Sequence, residues 1–380
     1  MRLPDETELL CELVEIPSVN PGPRPPKSPE EGEGQIADFI RSFWEQARVD
    51  CELQEVLPGR PNVIAQLTVP GTQPLLLETH TDTVPPDPES PSQVKPQVRD
   101  TRVYGRGACD AKASLAAMML AVARAAASGR IARSVIMAAC VDEEYLFRGA
   151  TALVERGLEA TEAVVGEPTS LEVVSSHKGA MRWRLVTRGR AAHASTPELG
   201  ENAIYKMAAV VHAIEQYAEV LDKEPKDPVI GGPTICVGVI SGGKLPNVVA
   251  DYCEILLDRR LMPGERGQRA EAELRSFLAR RLGSGFTYEL TTLLDDPPLE
   301  AGANDVLARK TAEVVKRVLG EASVTAVRYG SDASKFAQAG IPSIVLGPGD
   351  IRQAHSSDEW VEIEQVRLAS RIYEALVTTS

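Results

Sequence analysis

Several things are missing from this 380-residue chain, and each absence removes a class of protein. No apolar run reaches the roughly 18 residues that a membrane span needs. The opening MRLPDETELLCELVEIPSV holds no stretch like the apolar core of a secretory signal, so a cytoplasmic location is expected. Six cysteines, spread from Cys11 to Cys253, form no C-x-x-C pair, which suits a reduced compartment rather than a disulfide framework. G-R-G-A-C-D is not a dinucleotide fingerprint, and no G-x-x-x-x-G-K-[ST] occurs, so no nucleotide site is expected. The G-x-S-x-G elbow of serine hydrolases is also missing. Basic residues are outnumbered 41 to 54, for a net charge of −13. A field of that sign repels nucleic acid and anionic membranes, and neither is expected as a partner.

What is present reads as an α/β protein of two domains, since the length exceeds one compact core. Helical spacing of Ile36, Phe39, Ile40, Phe43 and Ala47 predicts a helix over Gln35–Arg48, after a first helix near Glu6–Glu15. NVIAQLTV, PLLLETH, SVIMAACV and AVVGEP read as strands, with an Ala-rich helix over Ala111–Ala127 between them. Continuous apolar strands alternating with helices imply a mostly parallel sheet covered on both faces. After about Ser176 the pattern becomes β-α-β-β-α-β: MRWRLVTRG, Asn202–Leu221, TICVGVISGG, YCEILLDRRL, Glu265–Leu282 and FTYELTTLL. That order fits a small split-βαβ, ferredoxin-like sandwich. The α/β pattern then resumes and ends on the helix Ile363–Val377. The expected division is 1–176 with 292–380, interrupted by an insert over 177–291.

Histidine is scarce, with five in the chain. His80 and His355 sit just beyond strand ends, where α/β folds place their chemistry. Carboxylates crowd other strand ends: Asp82, Asp110, the run Asp142-Glu143-Glu144, and Glu167. Repulsion within such a group must be offset by cations or protons. A pair of zinc ions would do this, since imidazole nitrogen and carboxylate oxygen are standard zinc ligands.

The pieces H-T-D-T-V-P (80–85), G-R-G-A-C-D-A-K (105–112), D-E-E (142–144), G-E-P-T (166–169) and A-H (354–355) together resemble the zinc-dependent aminoacylase/carboxypeptidase family. That family includes acetylornithine deacetylase and succinyl-diaminopimelate desuccinylase, and the likeness runs over nearly the whole chain. It implies a cofactor of two zinc ions, replaceable by cobalt or manganese. By resemblance, His80, Asp110 and Glu167 hold one ion, and Asp110, Glu144 and His355 the other. Asp82 would orient the His80 ring, and Glu143 would act as general base on a water between the metals. His193, in R-A-A-H-A-S-T-P, would stabilise the oxyanion from a partner subunit, which implies a homodimer through the inserted dimerisation or lid domain. Asn247, Arg259, Gly330 and Ser331 match positions that hold substrate. His177 and His212 read as structural and surface residues.

The stretches G-E-P-T-S-L, H-K-G and L-G-P-G-D-I-R-Q-A-H lie nearest the acetylornithine deacetylase branch. The implied reaction is amide hydrolysis of a small N-acyl amino acid. A desuccinylase, dipeptidase or carboxypeptidase reaction is the alternative. Two departures affect loop shape rather than ligands. Lys112 is followed by Ala113-Ser114 where the family commonly has Gly, and Tyr145-Leu146-Phe147-Arg148 separates D-E-E from Gly149.

Overall fold

In the computed structural model, residues 3–28, 30–87, 95–283 and 285–379 are described. The chain divides into two compact units: Met1–Ser175 with Ala301–Thr325 and Ser331–Ser380, and Ser176–Glu300 with Ala326–Gly330.

The first unit is built on an eight-stranded sheet. Its centre is four parallel strands in the spatial order Val135–Cys140, Leu75–His80, Glu162–Val165, Ser343–Val345. Every residue of Val135–Cys140, Leu75–His80 and Ser343–Val345 is buried, which is why these segments read as continuous apolar runs. Register pairs His80 with Cys140 and Val345 with Val165, so the strands end along one edge. The parallel character is confined to this centre. Arg60–Leu67 and Asp50–Leu57 continue the sheet antiparallel on one flank, and Val173–His177 meets Ser343–Val345 antiparallel on the other.

The Ala-rich helix Lys112–Ser128 is buried along almost its whole length, and small side chains let it lie close to both the sheet and the helix Ile363–Thr378. A three-stranded sheet joins Trp360–Glu362 to Arg102–Tyr104 and Gln97–Arg99. It holds the segment leading to Asp110 beside the segment that follows His355.

In the second unit, four antiparallel strands take the order Thr234–Gly242, Tyr252–Leu261, Gly179–Arg188, Glu289–Asp296. The helices Ala203–Leu221 and Gly267–Leu282 pack on this sheet through Met207, Val210, Leu274 and Leu278. The order β-α-β-β-α-β is ferredoxin-like. The main stretch of the unit runs to Glu300, beyond the expected 291, because Glu289–Asp296 is a complete strand of its sheet and pairs with Gly179–Arg188 along its length, and Ala326–Gly330 also belongs to the unit.

Gly149 opens the helix region after D-E-E at a point of close backbone approach. A Cβ there would collide with the backbone N and O of Val141 and with the Asn62 side chain. Gly149→Ala should therefore destabilise the first unit by about 1–3 kcal/mol, the usual cost of overpacking, read as a lowered urea midpoint.

Candidate metal centre

The strand edge gathers the acidic and imidazole groups. His80 is the last residue of its strand, Asp142–Glu144 follow Val135–Cys140 after one residue, and Glu167 follows Glu162–Val165 after one residue. His355 lies in the turn before Trp360–Glu362, and Asp110 in the turn that opens the helix Lys112–Ser128.

Two groups result, each with ligand atoms within 4.8 Å of one another: His80 with Asp110 and Glu167, and Asp110 with Glu144 and His355. His80 Nε2 lies 3.0 Å from Asp110 Oδ1 and 3.7 Å from Glu167 Oε1. His355 Nε2 lies 3.0 Å from Glu144 Oε1 and 3.4 Å from Asp110 Oδ2. Asp110 thus turns one oxygen to each imidazole. Its own peptide bond to Ala111 is cis.

The donor set suits a cation on chemical grounds. His80 Nδ1 is 2.9 Å from the backbone carbonyl of Asp82 and can only donate to it. In the neutral ring Nε2 then carries a lone pair, and it faces carboxylate oxygens. Lone pairs converging at such distances require a proton or a metal ion between them. Without an ion the imidazoles keep protons. Burial disfavours the His80 cation, but Glu167, Asp110 and Asp82 outweigh it and hold its pKa well above the ordinary value. His355 is raised to about 10 by its hydrogen bonds to Asp110 and Glu144. Burial would raise the Asp110 carboxyl, yet the two imidazoles hold it below the usual carboxylate range. Burial pushes Glu143, Glu144 and Glu167 upward.

Asp82 differs from the expectation. The His80 ring is held by the Asp82 carbonyl, while the Asp82 carboxylate Oδ1 is 3.7 Å from Nδ1. The carboxylate instead accepts the backbone N–H groups of Glu143 and Glu144, each at 3.1 Å, and Nδ2 of Asn20 at 2.7 Å. Glu143 is half-buried beside the cluster and belongs to neither three-ligand group.

Sequence reasoning missed the residues that hold these loops. Asp142 adopts a left-handed φ of 67°. Its Oδ1 accepts from Asn20, Arg60 and Arg148, its Oδ2 accepts from Arg148, and its N–H donates to Glu33. Glu33, wholly buried, also pairs with Arg60. Glu359 accepts backbone N–H groups from the turn that carries Asp110. None of these partnerships has a characteristic spacing. The one available signal was Arg148, a charged residue inside the unusual Tyr145–Arg148 stretch.

The remaining expected site residues lie elsewhere in the fold. In the second unit, His193 is exposed and its Nδ1 lies 2.7 Å from Ser195 Oγ. His193 forms a β-bridge with Val248, and Asn247 accepts the N–H of Ala194, so His193 and Asn247 stand side by side. Arg259 is 1% exposed and ion-paired with Glu265 at 2.9 Å. Gly330 is half-buried and ends the second unit, while Ser331 is buried in the first.

Residues 76–379 match the family described as Peptidase family M20/M25/M40. An acetylornithine deacetylase of Myxococcus xanthus is 31% identical over 382 residues, covering 96% of this chain and 94% of the relative. A metallo-carboxypeptidase of the M20 family from Sulfolobus solfataricus shares the fold with a TM-score of 0.79 and 20% identity, over 99% of each chain. A dinuclear metal-binding M20 peptidase from Bacillus subtilis gives a TM-score of 0.69 and 16% identity, over 98% of this chain and 96% of that one. The fold and the strand-edge cluster are those of a metallopeptidase-type amide hydrolase. The chain belongs to the M20 peptidase family, whose members here include curated acetylornithine deacetylases.

Asn20 is the neutral link between two buried carboxylates, Asp82 and Asp142. Asn20→Ala should cost about 1–3 kcal/mol of stability by leaving those oxygens short of a donor. Faster amide hydrogen exchange at Glu143 and Glu144, relative to the sheet, would accompany it. Unchanged exchange there would contradict the link.

Proposed function

We propose that this enzyme is a di-zinc deacylase of N-acyl amino acids, of the acetylornithine deacetylase type. The observation that carries the reading is Asp110, whose two oxygens face two different imidazoles. His80, Asp110 and Glu167 would hold one ion, and Asp110, Glu144 and His355 the second. Zinc is favoured by the mixed nitrogen and carboxylate donor set, with cobalt or manganese as substitutes. Bound there, the ions would supply Lewis acidity, acidifying a water and polarising the scissile carbonyl.

The chain's own groups do the rest. Glu143 takes the proton of the attacking water and delivers one to the leaving amine nitrogen. Asp82 keeps Glu143 and Glu144 in register through their backbone N–H groups. His193, contributed by a partner subunit, would donate to the developing oxyanion. Asn247, Gly330 and Ser331 would hold the substrate. Arg259 would bind the substrate carboxylate only after leaving Glu265.

A homodimer through the second unit is part of this reading. The strand Thr234–Gly242 is an edge strand, with Val239 50% and Ile240 59% exposed, and Tyr205 is 76% exposed. Unpaired edges with apolar side chains are templates for a second strand. A cytoplasmic setting is favoured by the six unpaired cysteines. No described helix is long and apolar enough to cross a membrane.

Three measurements test the reading. Zinc- or cobalt-loaded enzyme should show its highest kcat/KM on acetylornithine among acetylornithine, succinyl-diaminopimelate and simple dipeptides. No turnover of acetylornithine removes the narrow assignment, and preference for another substrate assigns the enzyme to that reaction. Glu143→Ala should keep its metal and lose at least about a hundredfold in kcat. Unchanged turnover would remove Glu143 as the base. Sedimentation should give a dimer, and an active monomer would contradict the partner role of His193.

A further inference from the structure

Glu359 is a buried acid that the reaction above does not use. It is 1% exposed, and its carboxylate is fully engaged. Oε1 accepts the backbone N–H groups of Cys109 at 2.9 Å and Asp110 at 3.0 Å. Oε2 accepts the N–H of Gly107 at 3.1 Å and Nη1 of Arg106 at 2.6 Å. The backbone carbonyl of Glu359 accepts the N–H of Gly105 at 3.1 Å. Every one of these donors lies in the turn that ends on Asp110. Glu359 itself lies four residues after His355.

We infer that Glu359 is a positioning residue for the metal centre: by gripping the Gly105–Asp110 turn it aims both oxygens of Asp110 and ties that turn to the segment bearing His355. The inference rests on the reading of Asp110 and His355 as metal ligands. The physical reason is the demand on Asp110. Its two oxygens must serve two imidazoles, at 3.0 Å and 3.4 Å, so a small rotation of the turn would lose one of them. A carboxylate is suited to the grip because it has two acceptor oxygens and no donor, and four donors approach it. An amide of the same shape offers one oxygen and turns its NH2 against two of those donors.

The rival explanation is that Glu359 only neutralises the buried Arg106. The two differ in what Glu359→Gln does to metal binding. The test uses full-length protein stripped of metal, with zinc and cobalt affinities measured by competition titration and the cobalt visible spectrum recorded. Wild type and Asp110→Ala run beside E359Q. Positioning predicts metal affinity lowered by about 10–100-fold, the usual scale for groups that orient ligands. It also predicts an altered cobalt spectrum and a lower kcat, with KM essentially that of wild type. A lowered melting temperature of metal-free E359Q, with wild-type metal affinity and spectrum, overturns the proposal in favour of charge neutralisation. Should E359Q not fold, Glu359→Asp decides, because it keeps the charge and shortens the reach. Weakened metal binding supports positioning, and wild-type binding overturns it. Failure of both variants to fold overturns it in favour of a purely structural role. The underlying reading is judged on wild type and D110A alone. No uptake by wild type, or wild-type uptake by D110A, sinks the ligand assignment itself and this inference with it.

Discussion

Asp110 presents two oxygens to two imidazole nitrogens at the edge of a buried sheet, and much of the first unit serves that one arrangement. It brings together groups that repel. Glu143, Glu144 and Glu167 are all pushed towards their neutral forms by burial, and burial also raises Glu78, within the strand Leu75–His80, to about 7 and pushes Asp332, just before the helix Ala333–Gln338, well up. Two imidazoles cannot balance so many acids. Divalent cations would relieve the repulsion, so the charge imbalance favours their uptake.

Holding such a cluster calls for a rigid support, and the support is itself acidic. Asp82 grips the N–H groups of Glu143 and Glu144, Glu33 grips that of Asp142, and Glu359 grips the turn before Asp110. Each is a buried carboxylate whose charge is met by backbone donors, with Arg60 or Arg106 beside two of them. Hydrogen bonds to a charged acceptor are stronger than neutral ones, so the loops that carry the cluster gain the fixity of the sheet.

How much of this was legible follows from what is local in sequence. Continuous apolar strands such as Val135–Cys140 announce themselves, and so does an acid placed directly after one. The clustered residues His80, Asp110, Glu144, Glu167 and His355 were legible because strand ends and short motifs coincide. The strand Asp50–Leu57 escaped because it is an edge strand with no buried residue and hence no apolar signal. The antiparallel flanks of the sheet were missed for a related reason: pairing direction is a property of neighbours, not of a segment. Asn20, Glu33, Arg60 and Glu359 escaped because the partners that matter here lie between 27 and 253 residues away in the chain. Asp82 was recognised as a partner of His80, but the division of labour between its carbonyl and its carboxylate depends on side-chain geometry that spacing does not carry.

The second unit stands on different ground. Its topology is plain, and it places His193 beside Asn247, whereas Arg259 is committed to Glu265. The reading of the protein therefore rests on the cluster in the first unit. It is tested most directly by crystals of the zinc-loaded enzyme, with anomalous scattering recorded on both sides of the zinc edge. Two peaks are expected, one about 2.0–2.1 Å from His80 Nε2 and the other equally close to His355 Nε2, with Asp110 touching both. A single peak, or peaks that leave Asp110 bound to neither, would contradict it.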